Sequence, residues 1–361
     1  MKCTIQNIAD HLGLSRNTVS KALKNSSEVS ENTRNLVIKT ASKLGYKNAT
    51  FATPVIPASE TGSNGTILFL TRTYASDSEF WTTVLRGIES ILSNANYHLA
   101  ISIMSDSDLK QLNFPQTISD SSIKGIILVE ICDKVVCDAL SQFNLPIVSV
   151  DMPNVPFEEL NGIDVVTMES KKNLKKIINQ LIEKGAESFG FVGDLYSPNV
   201  SRGFQERYNA LSECLAEHQL PLNQKNCLLH QTPEDFWNFQ TTVNNLQAMI
   251  SLPDVFICGN DWTAIQLIYA LQFLGFQIPK DICVVGFDNI PAASRISPSL
   301  TTISTPQKYL GIAAARQILE RIQHPNCPHV FCQYETELII RNSTNIISVS
   351  YTHLTLPTIR L

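Results

Sequence analysis

With 361 residues, 43% of them hydrophobic and 17% charged, the chain is long enough for a large buried core and an accessory module. This composition excludes extensive disorder and fibrous structure. No apolar run reaches the roughly 18 residues that span a bilayer, and the N-terminus has no apolar signal segment. We therefore expect a cytoplasmic protein without a membrane partner.

The nine cysteines are scattered along the chain and form no CxxC pair. This pattern favours small buried hydrophobic residues over metal ligands or a disulfide framework. The sequence therefore predicts no metal site, and no other cofactor is indicated.

The net charge of −5 is unevenly distributed along the chain. Residues 1–50 carry eight basic and three acidic side chains, a balance of +5, so the remaining 20 basic and 30 acidic groups give −10. A basic end on an acidic body is typical of a protein that binds a polyanion through that end.

The basic segment predicts three short helices. The first begins at the cap Thr4 and ends at Gly13, the second begins at the cap Ser15, and the third extends from Ser30 to Gly45. Each helix has one apolar stripe, so together they predict a small three-helix module. The residues expected in its core are Ile5, Ile8, Ala9, Leu12, Val19, Ala22, Leu23, Leu36, Val37, Ala41 and Leu44.

The outward face of the second helix is polar and basic. A helix that follows a short glycine-containing turn can enter a major groove, where Arg, Asn and Lys side chains read base edges. We therefore assign base reading to Arg16, Asn17 and Lys21. Short polar side chains suit phosphate contacts that fix register. The residues assigned to phosphates are Thr4, Thr18, Ser20, Asn25, Ser30 and Thr33. From pattern alone, a helix bundle with a merely solvated polar face is the alternative.

Residues 4–46 closely resemble the headpiece of the lactose-repressor (LacI/GalR) family. The resemblance lies in the start at Thr4, in GLSRNTVSKAL at residues 13–23 and in VSENTR at residues 29–34. It implies that residues 1–46 are a helix-turn-helix headpiece. It also implies that the three residues assigned to bases occupy the family's base-reading positions.

Residues 47–64 are rich in small residues, Pro and Thr, and predict a linker. In the family this region leads into a hinge helix with an Ala-Arg-x-Leu pattern, whose Leu enters the minor groove. Here that pattern is missing, and Pro54 and Pro57 would break a helix of useful length. Phe51 is either an apolar wedge between base steps or a plain linker residue.

From Gly65 onward, apolar strands alternate with amphipathic helices, which indicates parallel sheets with helices on both faces. The repeats are too many for one sheet, so we expect a doubly wound α/β domain with two similar lobes and a cleft. The predicted strands are 65–71, 98–104, 123–130, 146–151, 188–194, 253–261 and 283–289, and the predicted helices are 79–95, 170–184, 202–218 and 262–274.

Several of these strands end in an acid or an amide. Ligands of doubly wound sheets bind beyond the carboxyl ends of the strands, where such groups hydrogen-bond hydroxyls. An aromatic residue such as Phe80 or Trp81 offers a ring for a sugar face. The pattern predicts a polyol pocket, with capping of the next helix as the alternative, equally weighted for Asp194 and Asp261. The residues that end the strands are Asp151, Asp194, Asn260, Asp261 and Asp288.

The resemblance to the family extends over residues 65–343, through motifs such as VFICGND at 255–261 and IPKDICVVGFDNI at 278–290. It implies a periplasmic-binding-protein-like domain for effector binding and dimerisation, which we place at residues 65–345. The effector-contacting positions carried over by motif are Asp151, Arg207, Asn260 and Asp288, to which we add Phe80 and Trp81. Residues 346–361 do not fit the family's usual ending, and we interpret them as a non-native tail.

Together these features predict a homodimeric, sequence-specific transcriptional regulator, and we expect a repressor. A dimer is expected because one headpiece makes few base contacts. Its affinity for a double-stranded DNA operator would be controlled by a small polar effector, a sugar or sugar derivative. No nucleophile–base pair, metal cluster or phosphate loop stands out, so an enzyme is not predicted. The competing interpretation is a ligand-binding receptor without DNA function, against which the missing signal peptide argues.

Overall fold

The computed structural model describes residues 4–23, 29–30, 33, 36–37, 40, 63–72, 78–195, 201–230 and 238–344. The chain divides into two compact units, residues 1–62 and 63–361. Several sequence predictions lie outside the described residues: Asn25, the linker through residue 62 with Phe51, and the proposed tail. Among the helices that are described, none has the length and apolar character needed to cross a membrane.

The first unit contains helices α1 (Ile5–Leu12) and α2 (Arg16–Leu23). The Thr4 hydroxyl caps α1 by accepting a hydrogen bond from the Asn7 amide, and Gly13 ends the helix in the left-handed region at φ 64°. The Ser15 hydroxyl accepts from the Thr18 amide at 3.0 Å at the start of α2. The predicted starts of both helices and the predicted end of α1 are therefore confirmed.

The core of the first unit is formed by Ile8, Ala9, Val19, Ala22, Val29 and Val37. The prediction that Leu36 is buried is wrong, because its side chain is 51% exposed. Adjacent helical residues lie about 100° apart around the axis. A core between short helices covers Val37 but leaves Leu36 at its edge. Ala41 and Leu44 lie outside the described residues.

The second unit consists of two α/β lobes, each built on a sheet of six described strands. The order is β11-β5-β4-β3-β1-β2 in lobe 1 and β12-β10-β9-β8-β6-β7 in lobe 2. All pairs are parallel except β10 with β12. The strands are β1 Gly65–Arg72, β2 Tyr97–Met104, β3 Ile123–Leu128, β4 Ile147–Ser149, β5 Ile163–Met168, β6 Phe189–Asp194, β7 Leu228–His230, β8 Val255–Cys258, β9 Cys283–Asp288, β10 Thr301–Ser304, β11 Phe331–Tyr334 and β12 Glu337–Ile339.

Helices cover both faces of the sheets, as expected where crossovers join parallel strands. The architecture is the doubly wound, two-lobed α/β fold that the sequence predicts. The helices are α3 Glu79–Asn94, α4 Asp106–Gln111, α5 Lys134–Ser141, α6 Lys172–Glu183, α7 Arg202–Glu217, α8 Phe239–Ala248, α9 Asp261–Phe273 and α10 Gln307–Gln323.

The chain passes between the lobes at three crossing segments, residues 169–171, 305–306 and 335–336. The Glu169 amide donates to the Tyr334 carbonyl at 2.8 Å, which joins the first segment to the third. The Asn173 side chain donates to the Thr336 carbonyl at 2.7 Å. These bonds hold the crossing segments together beside the cleft between the lobes.

Helices α3 and α10 pack with almost no space between their backbones. A Cβ atom on Gly87 would overlap the Lys308 carbonyl oxygen, and one on Gly311 would overlap the Val84 carbonyl oxygen. Glycine is therefore required at both positions. This close contact fixes α3, whose first turn carries two of the predicted effector residues.

The described cysteines are free thiols. Most are buried, as the sequence predicts, but Cys327 is exposed. It lies just beyond the end of α10, in a connection that runs over the surface rather than in a strand. The prediction of a buried hydrophobic residue is therefore wrong at this position.

Candidate DNA-reading face and effector-binding cleft

The face of α2 that the sequence assigns to DNA is accessible. Arg16, Asn17 and Lys21 are all exposed, whereas Val19 and Ala22 on the opposite side are buried. A helix anchored by its apolar side and open on its polar side has the form that major-groove reading requires.

Two of the residues assigned to phosphates, Thr4 and Ser30, accept capping hydrogen bonds from the amides of Asn7 and Thr33. The Thr4 hydroxyl lies 2.6 Å from Asn7 Oδ1, and the hydroxyls of Ser30 and Thr33 lie 2.8 Å apart. Thr18 shares a 2.8 Å hydrogen bond with Ser15, while Ser20 is half-buried. Capping orients the first amides of each helix, which are themselves donors for a phosphate.

Predicted effector residues from both lobes meet in the cleft. Asp151 lies just beyond β4 in lobe 1, whereas Arg207 on α7 and Asp288 at the end of β9 belong to lobe 2. Their exposed fractions are 9%, 3% and 9%. Burial lowers the pKa of Arg207, and the carboxylates of Asp288 and Asp151 oppose that shift. The guanidinium is thus the shared counter-charge of two carboxylates from different lobes.

Arg207 is held in place by lobe 2. Its Nη1 donates to the Gly259 carbonyl at 2.6 Å, and its guanidinium carbon lies 3.6 Å from the centre of the Phe287 ring. Its Nε is buried and has no acceptor among the described residues. The side chain is therefore oriented before any ligand binds, and it retains a donor for one.

The backbone of Asp288 is fixed by described hydrogen bonds, whereas its side chain is held differently. The residue adopts φ 116°, and its carbonyl accepts from Gln307 Nε2 at 2.7 Å and from the Thr305 hydroxyl at 3.2 Å. Within the described part of the chain no group donates to the carboxylate. Burial raises its pKa well above the usual range, against the effect of Arg207. A ligand donor would satisfy this group.

Asn260 and the neighbouring Asp261 have different roles. Asn260 caps α9 through Oδ1, which accepts from the Thr263 amide at 2.9 Å, so its Nδ2 is the atom suited to a ligand. Asp261 is fully buried and accepts from the Ile290 amide at 2.9 Å and the Thr302 hydroxyl at 2.5 Å. It therefore ties the ends of β9 and β10 together, and the capping alternative is wrong for it.

The capping alternative is also wrong for Asp194. The helix that follows β6 is α7, and the Ser201 hydroxyl caps it by accepting from the Phe204 amide at 3.2 Å. Asp194 instead lies close enough to Glu130 to raise the pKa of that carboxyl.

Phe80 and Trp81 lie in the first turn of α3 and are buried. Their rings pack edge to face with centres 4.6 Å apart. The Trp81 indole donates to the Glu130 carboxylate, so a cleft residue holds the orientation of this ring. Both rings belong to the hydrophobic core.

Two cleft residues were missed by the sequence analysis. Glu130 lies two residues beyond β3 at φ 56°, and its Oε2 is buried without a described donor. Burial raises its pKa to about 7. Ser170, in a crossing segment, is 2% exposed and its hydroxyl has no described partner. The rule that selected Asp151, an acid after a strand, also applies to Glu130, whereas nothing in the sequence marks Ser170.

The two lobes touch directly beside these groups. The Arg202 amide donates to the Met152 carbonyl at 3.0 Å, and Pro153 pairs with Ser201 as an isolated antiparallel bridge. The start of α7 is thereby attached to the loop that follows β4. This contact brings Asp151 of lobe 1 to Arg207 of lobe 2.

An open depression of about 460 Å³ lies elsewhere, at the amino ends of β8 and β9. Its lining is mixed and includes Leu246, Met249, Asp254 and Phe276. It contains none of the predicted effector residues. The cleft, with its buried polar groups, is the better candidate for a polar ligand.

The comparisons with known proteins identify both units. Residues 4–48 match the family model for bacterial regulatory proteins of the lacI family, and residues 178–344 match the periplasmic binding protein-like domain. Residues 4–48 are therefore a lacI-family DNA-binding segment, joined to a periplasmic-binding-protein-like domain. The protein is a DNA-binding transcriptional regulator controlled by an effector.

Its relatives cover almost the whole chain. The ribose operon repressor of Haemophilus influenzae is 27% identical over 344 residues, spanning 94% of this chain and 98% of that protein. Two solved structures share the fold of this chain. A LacI-family regulator from Enterococcus faecium with bound ribose has a TM-score of 0.63, is 24% identical and covers 77% of this chain and 98% of its own. The lac repressor dimer bound to operator has a TM-score of 0.64, is 19% identical and covers 95% and 99%.

Proposed function

We propose that this chain is a homodimeric repressor whose affinity for a double-stranded operator is set by a sugar or sugar derivative bound in the cleft. One observation carries the effector half of this proposal: the buried Nε of Arg207 and the buried hydroxyl of Ser170 have no described hydrogen-bond partners. A buried polar atom without a hydrogen bond costs about 1–3 kcal/mol. A hydroxylated ligand would supply the missing bonds.

The DNA half rests on α2. We propose that Arg16, Asn17 and Lys21 read bases in the major groove, since all three are exposed on one side of a helix with a buried opposite side. The cap hydroxyls and first-turn amides would contact phosphates and fix the register. The domain limits of the sequence analysis, 1–46, 47–64 and 65–345, are part of this proposal.

In the effector half, Asp151, Arg207, Asn260 and Asp288 would contact the ligand. Trp81, held by Glu130, would offer its ring to an apolar face of the ligand, with Phe80 supporting it from the core. A sugar is favoured because the ribose operon repressor is a relative and a solved neighbour holds ribose.

The second unit has exposed apolar surface on both lobes, which supports a homodimer. In lobe 1, Ile101 and Ile103 are exposed on the edge strand β2, and in lobe 2, Trp262, Tyr269 and Phe273 are exposed on α9. Exposed apolar patches and unpaired strand edges mark surfaces that bind a partner. The lac repressor neighbour is a dimer on its operator.

The proposed response to effector is a lobe rotation. A ligand that bonds to Asp151 in one lobe and Arg207 in the other stabilises one lobe arrangement over another. A coupling of about 1–3 kcal/mol between the sites would change operator affinity about 5- to 150-fold. The relatives are repressors rather than enzymes, and we propose no catalytic activity. A function on DNA places the protein in the cytoplasm.

The proposal is tested by gel shift with DNA from upstream of the chain's own gene. We expect sequence-selective binding that weakens with salt and that changes when the effector is added. Arg207→Ala should lose the effector response while keeping operator binding. Equal loss of both by Arg207→Ala would contradict the division of roles, and indifference to DNA would favour the receptor interpretation.

A further inference from the structure

The start of helix α7 borders a small space that the fold leaves open. Gly203 is the second residue of α7. Outside the adjoining backbone, the heavy atoms nearest to a Cβ at this position would be Arg207 Nη2 at 3.4 Å, Ser170 Oγ at 3.5 Å and Arg207 Cζ at 3.8 Å. At Gly87 and Gly311, by contrast, a Cβ would overlap a backbone carbonyl oxygen. Packing therefore does not require glycine at position 203, and an atom that enters the space would meet a guanidinium and a hydroxyl.

The two polar groups beside this space have hydrogen-bonding capacity that the fold does not use. Ser170 is 2% exposed, and its hydroxyl has no partner among the described residues. Within the same part of the chain, the Arg207 guanidinium donates only from Nη1, to the Gly259 carbonyl at 2.6 Å. Buried polar groups are almost always hydrogen-bonded, so the unused capacity around this space indicates a ligand.

The chemistry of these two groups selects the atom that fits between them. A guanidinium only donates, whereas a hydroxyl both donates and accepts. An ammonium group has no lone pair to offer Arg207 Nη2. A CH group would leave both polar groups buried without a hydrogen bond, which is costly. A hydroxyl oxygen has two lone pairs and can accept from both groups.

We propose that one hydroxyl oxygen of the effector occupies the space beside Gly203 and accepts hydrogen bonds from Arg207 Nη2 and the Ser170 hydroxyl. This inference rests on the proposed effector site and adds two residues to it. Ser170 would contact the effector directly, and Gly203 would admit it by having no side chain. A sugar that lacks this one hydroxyl would be selected against.

Ser170 also lies where the two lobes are connected. It belongs to the crossing segment 169–171, in which the Glu169 amide donates to the Tyr334 carbonyl at 2.8 Å. Gly203 and Arg207 belong to lobe 2. An effector hydroxyl bonded to Ser170 and Arg207 would therefore join a crossing segment to α7, and would restrain the segment through which the proposed lobe rotation passes.

The test begins with a thermal-shift screen of the full-length protein against D-ribose, D-xylose, D-glucose and D-galactose. Calorimetry then measures Kd for the sugar that binds and for its singly deoxygenated analogues. In the wild type we expect one deoxy position to weaken binding tenfold or more, because its loss leaves buried donors unpaired. Ser170→Ala should weaken the parent sugar about tenfold and should reduce the penalty for that deoxy position at least threefold.

Two further variants separate a role in binding from a role in the fold. Gly203→Ala fits the space but fills it with a methyl group, so we expect sugar binding to weaken 30-fold or more. Without sugar, Gly203→Ala and Ser170→Ala should melt no lower than the wild type, since alanine favours a helix and the Ser170 hydroxyl has no described partner. The matched control is Ser343→Ala. The buried Ser343 hydroxyl accepts from the Thr301 amide at 2.8 Å, so this variant should melt lower and keep the wild-type Kd.

The outcomes separate this inference from the proposed function. If Ser170→Ala and Gly203→Ala bind the sugar as the wild type does while Arg207→Ala does not, the hydroxyl subsite is overturned and the effector site stands. If ligand-free Ser170→Ala melts as low as Ser343→Ala, its hydroxyl has a partner in the fold, and the subsite is overturned as well. If no sugar binds or alters operator affinity, the proposed sugar response falls, and the subsite falls with it.

Discussion

In the headpiece the side chains assigned to DNA contribute little to the fold, whereas in the cleft the side chains assigned to the effector are part of it. Arg16 and Asn17 are exposed on α2, and the helix is anchored by other residues. Arg207, by contrast, is buried against the Phe287 ring and bonded to the Gly259 carbonyl. Function is therefore separable from stability in the headpiece but coupled to it in the cleft.

The largest expected effect tests this coupling. We expect Arg207→Met to lower the free energy of unfolding of the second unit by about 3 kcal/mol, because removing one partner of a buried charged group leaves the other uncompensated. Urea unfolding followed by tryptophan fluorescence measures this, since Trp81, Trp237 and Trp262 all lie within residues 63–361.

The matched variant in the headpiece is Arg16→Met. Because Arg16 is exposed, we expect its loss to change headpiece stability by no more than about 0.5 kcal/mol, measured by circular dichroism of α1 and α2. Operator affinity should nevertheless fall by about 1–3 kcal/mol for each headpiece that loses a base contact. A stability loss at Arg16 as large as that at Arg207 would break the comparison.

The difference between the headpiece and the cleft also explains which features the sequence predicts well. The ends of α1 depend on the residues Thr4 and Gly13 themselves, so local rules locate them. Strands such as β3 and β9 are mostly apolar, and the sequence predicts their ends to within two residues. The strands that were not predicted are β5, β7, β10, β11 and β12. Four of them are only three or four residues long and depend on a neighbouring strand for pairing. The exception, β5, is a buried strand of six residues whose apolar run is interrupted by Asp164.

In the cleft, the sequence selects residue types but not partners. Asn260 and Asp261 are adjacent and both follow β8, yet one caps a helix and the other bonds the Ile290 amide and Thr302 hydroxyl. Those partners lie 29 and 41 residues away along the chain. Tertiary contacts decide which acid accepts hydrogen bonds from the fold and which is left to bind a ligand. A single sequence carries no signal for these contacts.

A smaller effect is expected for Glu130, and it depends on pH. The pKa of the Glu130 carboxyl is about 7 in the folded protein, above its ordinary value of 4.5. As pH rises, Glu130 therefore loses its proton in the unfolded chain at a lower pH than in the folded protein. Glu130 therefore lowers the free energy of unfolding progressively between about pH 4.5 and pH 7. Since the side chain is partly exposed, the effect is of the order of 1–2 kcal/mol rather than the full value of the shift.

The measurement is urea unfolding of the wild type and Glu130→Gln from pH 4 to pH 8 without effector. The two proteins should have a similar pH dependence from other groups, including Asp151 and Asp261, whose pKa values are raised in the same direction. Their difference should favour Glu130→Gln increasingly toward pH 8. A constant difference across this range would show that Glu130 does not titrate in it.

The smallest expected effect returns to the headpiece and separates its two uses of one hydroxyl. Thr4→Ala removes the cap of α1 and should cost about 1 kcal/mol of headpiece stability, whereas Thr4→Ser keeps a capping hydroxyl and should cost less. If Thr4 acts on DNA only by ordering the first turn of α1, operator affinity should follow stability across the pair. A loss of affinity and of salt dependence in Thr4→Ala beyond its loss of stability would instead show a direct phosphate contact. It would also show that in the headpiece, as in the cleft, one group serves both fold and ligand.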